Sequence, residues 1–296
     1  SPYAAADTGK NILYNVFSER PKHLDPVQSY SSNEIQFTAQ IYERPLQYHY
    51  LKRPFVLMPA TVKEIPVVKY FDIEGNRLSD DAPSADIAYS VYEISIKPGI
   101  LFQPHPAFAT SERGDWLYHN LSNQELASIF KLSDFSQTGT RELTAEDYVY
   151  QIKRLAHPRL HSPIYGLMAD YIVGLRDYAT ILRQVEQAQS EGKAYLDLRD
   201  YSLEGVQVID AYTYQIKIKG KYPQFIYWLA MPFFAPIPWE ADRFYSQKGL
   251  VQKNITFTMP TIDNIPEQLL SLQHYEDDVS ILIGENGSGK STLLNN

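Results

Sequence analysis

The end of the sequence carries the feature that most restricts what this chain can fold into, a glycine-rich turn between an apolar run and a helix start. Residues 284–292 read Gly-Glu-Asn-Gly-Ser-Gly-Lys-Ser-Thr and fit the pattern G-x-x-x-x-G-K-[ST] at every fixed position. An apolar run at residues 279–283 precedes them, as a strand leading into such a turn requires. Glycines at this spacing let backbone N–H groups converge on a polyphosphate at a helix N-terminus. The sequence therefore predicts a phosphate-binding loop.

The residue types within this loop predict ATP and Mg²⁺ as its ligands. Lys290 would reach the β- and γ-phosphates, and the Ser291 hydroxyl would bind the metal ion. The predicted nucleotide-binding residues are Gly284, Asn286, Gly287, Ser288, Gly289, Lys290, Ser291 and Thr292.

Composition and charge exclude several other classes of protein. The 296 residues include 44% apolar and 21% charged side chains, which is ordinary for a globular protein with a sizeable core. The net charge of −8 argues against a general nucleic-acid binder. Cysteine is absent, so neither disulfides nor thiolate metal sites can form. The sequence also lacks a run of the roughly 18 apolar residues that a membrane span needs.

The rest of the chain reads as an α+β mixture, not as the βαβ alternation on which a phosphate-loop ATPase is built. A short strand is predicted at residues 11–17, and a helix begins at Ser31 or Ser32 and ends before Pro45. Alternating apolar residues over 92–96 predict a half-buried strand. This first half is therefore built of short extended segments around one helix.

Three helices and a hairpin are predicted further along. Thr144 and Asp147 have the spacing of a capping box and precede an apolar helical stripe. A second helix is predicted over residues 162–175 and a third over 177–192, and strict alternation over 206–218 indicates a hairpin. The order of elements is hairpins followed by a helical block.

The chain before residue 280 shows no catalytic centre. His157 and His161 have the spacing of metal ligands on one helix face, but Pro158 between them interrupts any such helix. The pattern therefore favours surface or capping histidines. Glu146 and Asp147 form a carboxylate pair that the capping role already explains. No catalytic residue is predicted.

Several short segments, in this order, resemble a known family. They are residues 24–26 (Leu-Asp-Pro), 41–46 (Ile-Tyr-Glu-Arg-Pro-Leu), 90–102, 143–150 (Leu-Thr-Ala-Glu-Asp-Tyr-Val-Tyr), 210–217 and 230–238. Over about residues 11–256 the chain resembles the extracellular solute-binding proteins of family 5, the peptide, nickel and oligopeptide receptors of bacterial ABC importers.

That resemblance implies an α+β, periplasmic binding protein-like fold of type II, in which two lobes form a clamp and a subdomain packs on the first lobe. It implies a peptide or similar small solute as ligand, importer permease subunits as partners, no cofactor, and a location in the periplasm or at the cell envelope. The segment after the first strand lines the cleft in peptide-binding relatives, which here is Ser18, Glu19 and Arg20. The pattern stops near residue 256, so domain 1–256 is expected to be the first lobe and its subdomain, without the second lobe.

The tail is similar to a different family. Residues 257–296 resemble the opening of an ABC-type ATPase domain, whose Walker B aspartate, signature loop and switch histidine are absent from this chain. Two origins stay open: receptor and ATPase pieces joined by cloning, gene rearrangement or sequence misassembly, or a truncated natural fusion. The first is favoured, because a receptor works outside the inner membrane and ATP is inside. The functional hypotheses are accordingly an incomplete peptide-binding protein and, alternatively, an ATP-hydrolysing enzyme.

Overall fold

The computed structural model of the protein describes residues 21–130, 132–188 and 195–247. Some predictions made from the sequence lie outside these ranges: the strand at residues 11–17, the cleft residues Ser18, Glu19 and Arg20, the boundary at residue 256 and the phosphate loop at residues 284–292.

Helices and strands alternate irregularly along the described chain. The helices are α1 (Ser32–Ile41), α2 (Asn123–Ala127), α3 (Ala145–Arg154), α4 (Tyr165–Tyr171), α5 (Leu175–Ala188), α6 (Phe225–Trp228) and α7 (Trp239–Tyr245). The strands are β1 (Leu46–Tyr48), β2 (Leu57–Pro59), β3 (Val68–Phe71), β4 (Tyr89–Ser95), β5 (Val206–Asp210) and β6 (Thr213–Lys219). None of these helices has both the length and the apolar character that crossing a bilayer takes.

A four-stranded antiparallel sheet of order β3-β4-β6-β5 is the centre of the fold. Strands β4 and β6 pair along their whole lengths, with Tyr92 opposite Ile216 and Ile94 opposite Tyr214. These four side chains are almost fully buried, so directly opposed pairs form one face of the sheet. The predicted alternation over 92–96 is confirmed, and β5 and β6 form the predicted hairpin. Alternation over 206–218 holds on β6 but is wrong for β5, where Val208 is exposed, because β5 is the edge strand and is irregular between Val208 and Asp210. A separate two-stranded antiparallel hairpin consists of β1 and β2.

Helix α3 packs on the buried face of this sheet. It begins at Ala145, and Asp147 accepts the backbone N–H of Thr144 at 2.8 Å, which confirms the predicted helix start. The Tyr148 ring stacks on Tyr214 with centroids 5.3 Å apart and 7° between the ring planes. The expected apolar stripe is buried, but so is much of the opposite face of α3, including Tyr150 and Arg154. The helix is therefore central and not a surface helix.

Two hydrophobic clusters lie on either side of α7. The larger one fills the space between the sheet and helices α3, α4 and α5. The smaller one is formed by residues 107–135 together with Ala241, Phe244 and Tyr245 of α7.

Helix α4 begins three residues later than the predicted start at residue 162, and α5 begins two residues before the predicted 177. Gly174, at φ +75°, makes the tight turn between α4 and α5.

Buried ion pairs connect parts of the chain that are far apart in sequence. The Arg154 guanidinium, 2% exposed, donates to both carboxylate oxygens of Asp25, at 2.9 and 2.6 Å, and to Asp242 at 3.2 Å. Arg141 in the same way holds Asp147 and Glu240, each through two hydrogen bonds of 2.6–3.0 Å. Arg141, which precedes α3, connects this helix to α7. Arg154, the last residue of α3, connects it to α7 and to the segment before α1.

Replacing Arg154 with Met should strongly destabilise the fold. The substitution leaves the buried carboxylates of Asp25 and Asp242 without a partner, which costs roughly 3–5 kcal/mol for a broken buried pair. The matched control is Arg176→Ala, because Arg176 pairs with Asp170 at the surface, where such a pair contributes less than about 1 kcal/mol. Chemical unfolding of both variants measures the difference. Equal, small losses in the two variants would contradict a central role for the buried cluster.

Candidate functional site: an open hollow lined by tryptophan and arginine

An open hollow of about 580 Å³ lies where the loop at residues 114–120, the segment at 195–199 and helix α7 meet. Its lining comprises aromatic side chains, which we call the aromatic wall, and charged side chains, which we call the charged wall. Helix α7 contributes residues both to the hollow and to the smaller hydrophobic cluster. It combines planar apolar surface with fixed charges, a combination typical of binding sites for small molecules.

The aromatic wall consists of two tryptophans and a histidine. Trp116 stacks flat on His119, with centroids 4.7 Å apart and 4° between the planes. The ring of Trp239 meets both of them nearly edge-on, at 5.4 and 5.6 Å. Such stacked and edge-to-face contacts fix the three rings relative to each other. Two of the chain's three tryptophans therefore lie side by side, although 123 residues separate them in sequence.

His119 is held in its neutral form. Its Nε2 lies 2.8 Å from the carbonyl oxygen of Ala107, so Nε2 carries the proton and donates it, because a carbonyl can only accept. Burial lowers the pKa of His119 below its usual 6.5, and the positive charges of Arg243 and Arg199 lower it further. The bond to Ala107 and the charge of Glu240 oppose this shift without reversing it.

On the charged wall, Arg199 is already neutralised. Its Nε and Nη2 donate to the two oxygens of Asp197 at 2.9 and 2.6 Å, and its guanidinium carbon lies 3.5 Å from the centroid of the Trp239 ring. Burial raises the pKa of Asp197, but the hydrogen bonds and charge of Arg199 more than offset this and hold it below its usual range. The guanidinium of the Arg199–Asp197 ion pair therefore lies over the ring of Trp239.

Arg243 on α7 has a different environment. It donates to the side-chain oxygen of Asn120, and its guanidinium carbon is 5.0 Å from the centroid of the Tyr195 ring. Within the described residues Arg243 has no ion pair, in contrast to Arg199. Asp115 is also among the lining residues. The lining therefore includes aromatic rings, the carboxylate of Asp115 and one cation, Arg243, that has no direct ion pair within the described residues.

Two further observations describe what the groups of the hollow can do chemically. Since Nε2 of the neutral His119 ring donates to the Ala107 carbonyl, Nδ1 of that ring is the nitrogen that can accept a proton or a hydrogen bond. No group of three or more His, Asp or Glu side chains in the described ranges is arranged to hold a metal ion. Among the charged groups of the lining, Arg243 can pair with an anionic group.

Two of the histidines considered from the sequence, His157 and His105, have structural partners. Helix α3 ends at Arg154, so His157 and His161 do not share a helix, as the intervening proline predicts. His157 Nδ1 accepts the backbone N–H of Arg159 at 3.1 Å. His105, which has no partner visible in the sequence, contacts the Tyr245 hydroxyl at 2.9 Å through Nε2, and burial lowers its pKa to about 3.

No residue of the hollow was singled out from the sequence. Its members come from three separate segments, and neither their spacing nor a local motif connects them. The pairing of Asp147 with Arg141 also adds a second role to a residue that sequence reasoning assigned to helix capping alone. The signal available in the sequence was the presence of Trp116 and Trp239 in a chain with three tryptophans.

Comparisons with known proteins connect the fold, but not the hollow, to peptide receptors. No family model matches the sequence, and no curated protein matches it either. The fold is similar to that of the pheromone receptor PrgZ, solved for its mode of peptide binding: TM-score 0.50 and 17% identity over 96% of this chain and 39% of that chain.

Two further solved structures with lower scores are the murein tripeptide binding protein MppA of Escherichia coli and peptide-bound OppA of Listeria monocytogenes. MppA has a TM-score of 0.47 and 16% identity over 82% of this chain and 33% of that one. OppA has a TM-score of 0.45 and 17% identity over 79% of this chain and 32% of that one. The chain thus spans about a third of the length of these two proteins. The likeness to PrgZ shows a mixed α/β, periplasmic binding protein-like fold of partial extent.

Tryptophan fluorescence should report the protonation of His119. A protonated imidazole stacked on Trp116 quenches its emission by accepting an electron from the excited ring. Because the pKa of His119 is lowered, the midpoint of the decrease in emission should lie below pH 6.5. In His119→Gln, which keeps a donor for the Ala107 carbonyl, the decrease should disappear.

The matched control is His161→Gln, since His161 is exposed and lies outside the hollow. Circular dichroism at each pH confirms that the fold is intact. A midpoint at or above pH 6.5, or an unchanged decrease in His119→Gln, would contradict the stacked arrangement.

Proposed function

We propose that the chain is part of the solute-binding component of a bacterial ABC importer, with peptides as its ligand class. The observation that carries this proposal is the backbone likeness to PrgZ over 96% of the chain. Since the chain spans 39% of PrgZ, the proposal assigns it the first lobe and subdomain of a longer clamp. The importer's permease subunits are its proposed partners, and the periplasm or cell envelope is its proposed location.

In a two-lobed clamp, two rigid lobes move relative to each other about a hinge. Ligand lies between the lobes, and closure around it changes the shape that the permease meets. Extended peptides are held mainly through backbone hydrogen bonds, while side-chain pockets accept many sequences. In this assignment Ser18, Glu19 and Arg20 line the cleft on the first-lobe side.

The packing of the described residues is consistent with the role of a rigid lobe. The sheet is buried against α3, and two arginines hold α7 and the segment before α1 against it. A lobe of this kind can move as one body, because buried, multiply bonded side chains do not rearrange when the clamp closes. The boundary between receptor and tail near residue 256 stays part of the proposal.

Peptide binding should raise the thermal stability of the full-length receptor. Ligand at about 100 times its Kd stabilises the native state by about 2.7 kcal/mol, which should raise Tm by a few °C. A pool of short peptides, followed by its individual members, provides the ligands for a thermal-shift measurement.

Cleft variants make the same experiment specific. Arg20→Ala should reduce the peptide-induced shift, whereas Arg183→Ala, at an exposed position of α5, should leave it unchanged. No shift with any peptide on the full-length receptor would overturn the proposal. An equal reduction in both variants would remove Arg20 from the cleft while leaving the ligand class standing.

The alternative function is nucleotide binding by an ABC-type ATPase segment, for which the loop at residues 284–292 is the specific observation. Gly284, Asn286, Gly287, Ser288 and Gly289 would surround the phosphates, with Lys290, Ser291 and Thr292 at the helix start and Mg²⁺ on Ser291.

Equilibrium binding of labelled ATP in the presence of Mg²⁺ tests this alternative. If it holds, the chain binds ATP, Lys290→Ala loses about tenfold or more in affinity, and Lys253→Ala, the nearest preceding lysine, does not. Absence of binding by the unmodified chain would exclude the alternative. The outcome is independent of the peptide experiment, so the two hypotheses can be separated.

A further inference from the structure

The turn between β1 and β2 presents large apolar side chains to solvent. We call residues 49–56 the hairpin tip. Every residue from 50 to 56 is exposed, and the exposed fractions are 88% for Tyr50, 76% for Leu51, 63% for Phe55 and 40% for Val56. Single exposed apolar residues are common, but seven successive exposed positions that carry four large apolar side chains are not. The tip therefore projects from the fold with an apolar surface.

Two positive charges lie among these apolar side chains. Lys52 and Arg53 stand between Leu51 and Phe55, and the hairpin tip contains no Asp or Glu, the nearest acidic residues in sequence being Glu43 and Glu64. The chain as a whole has a net charge of −8. The hairpin tip is thus a basic, apolar island on an acidic protein, and its charge is complementary to an anionic surface.

The conformation of the tip is fixed by its own hydrogen bonds. The backbone N–H groups of Leu51 and Lys52 both donate to His49 Nδ1 at 3.2 Å. Arg53 Nη1 donates to the carbonyl oxygens of Tyr50 and Lys52 at 3.3 and 2.9 Å. Little conformational entropy remains to be lost when a structured loop of this kind meets a partner.

Ring contacts attach the tip to the body of the protein. The Arg53 guanidinium carbon lies 4.5 Å from the centroid of the Phe55 ring. Phe55 in turn meets Tyr48 edge-on at 5.8 Å, and Tyr48 stacks on Tyr227 of α6 at 6.2 Å. The N–H of Leu46 donates to the carbonyl of Leu229 at 3.1 Å. The exposed side chains are therefore carried on a supported projection.

The size and shape of the tip favour a lipid surface over a protein. A stable protein interface takes roughly 800 Å² and about 20 residues from each partner, more than a projection of eight residues supplies. A bilayer, by contrast, accepts a small convex apolar tip, since Leu and Phe enter the acyl boundary while Lys and Arg remain at the headgroup phosphates. Tyrosine has an apolar ring and a polar hydroxyl, which suits it to the membrane–water interface.

We propose that the hairpin tip is a peripheral membrane-contact site that inserts Tyr50, Leu51 and Phe55 into an anionic bilayer, with Lys52 and Arg53 on the lipid phosphates. The contact is reversible, because one short loop buries much less apolar surface than a spanning segment. It does not depend on the peptide-binding proposal, since the hairpin tip includes none of the proposed cleft residues.

Co-sedimentation of the full chain with vesicles tests this inference. The chain should bind vesicles of phosphatidylglycerol and phosphatidylethanolamine, and should bind vesicles of phosphatidylcholine alone at least about fivefold more weakly. Added salt should weaken the binding to anionic vesicles, because it screens the charges of Lys52 and Arg53.

Two tip variants separate the apolar and the charged contributions. The double variant Leu51→Ser/Phe55→Ser should lower the partition coefficient at least about tenfold on anionic vesicles. Lys52→Glu/Arg53→Glu should lower it by at least about tenfold and abolish the preference for anionic lipid. The matched control is Val67→Ser/Ile73→Ser, which removes side chains that are 64% and 75% exposed elsewhere and should leave partitioning unchanged.

Several outcomes would overturn the inference. No sedimentation with anionic vesicles, or equal loss in the tip variants and the control, would exclude a specific contact. Gel filtration tests the alternative that the tip contacts a protein instead of a bilayer. If the tip variants change the oligomeric state while vesicle binding is unaffected, the tip is a protein contact. Because peptide-induced stabilisation is measured without vesicles, failure of one proposal is distinguishable from failure of the other.

Discussion

The buried pairing of Arg154 with Asp25 and Asp242 is the interaction on which the rest of this structure depends. Removing a guanidinium from water is costly unless its donors find acceptors, and here two carboxylates and the side-chain oxygen of Gln151 accept four hydrogen bonds from it. Burial lowers the pKa of Arg154, but the two carboxylate charges more than offset this, so its pKa is raised and the residue stays ionised. The cluster fixes where α3, α7 and the segment before α1 lie.

Helix α7 transmits this constraint to the hollow. Its Asp242 pairs with Arg154 and also accepts the Tyr150 hydroxyl at 2.7 Å, while its Glu240 pairs with Arg141. Trp239, one residue before Glu240, is one wall of the hollow, and Arg243 is directly after Asp242. The positions of the ligand-accessible side chains are consequently set by the buried pairs beneath them. A hollow supported in this way is pre-organised, which limits the entropy that a ligand must overcome on binding.

Local sequence patterns identified the elements but not their partners. The alternation over 92–96 and the capping residues Thr144 and Asp147 depend on neighbours in sequence, and β4 and α3 lie where these patterns place them. The stripe on α3 indicated one buried face, and the structure buries Tyr150 and Arg154 on the other as well, because Asp25 and Asp242 neutralise the arginine from 129 and 88 positions away. No periodicity contains that information. The same holds for the hollow, whose two tryptophans meet only through tertiary packing.

The residues of the Arg154 cluster are far apart in sequence, and this separation affects when the core can form during synthesis of the chain. During synthesis the chain emerges from its N-terminus, so Arg154 and Asp25 are both present long before Asp242. Until then, the buried site would hold a cation with one of its two carboxylates missing, and α3 could not close stably over the sheet. A nascent chain therefore lacks part of the stabilisation of its core until α7 has been translated, and its apolar surface stays accessible to chaperones until then.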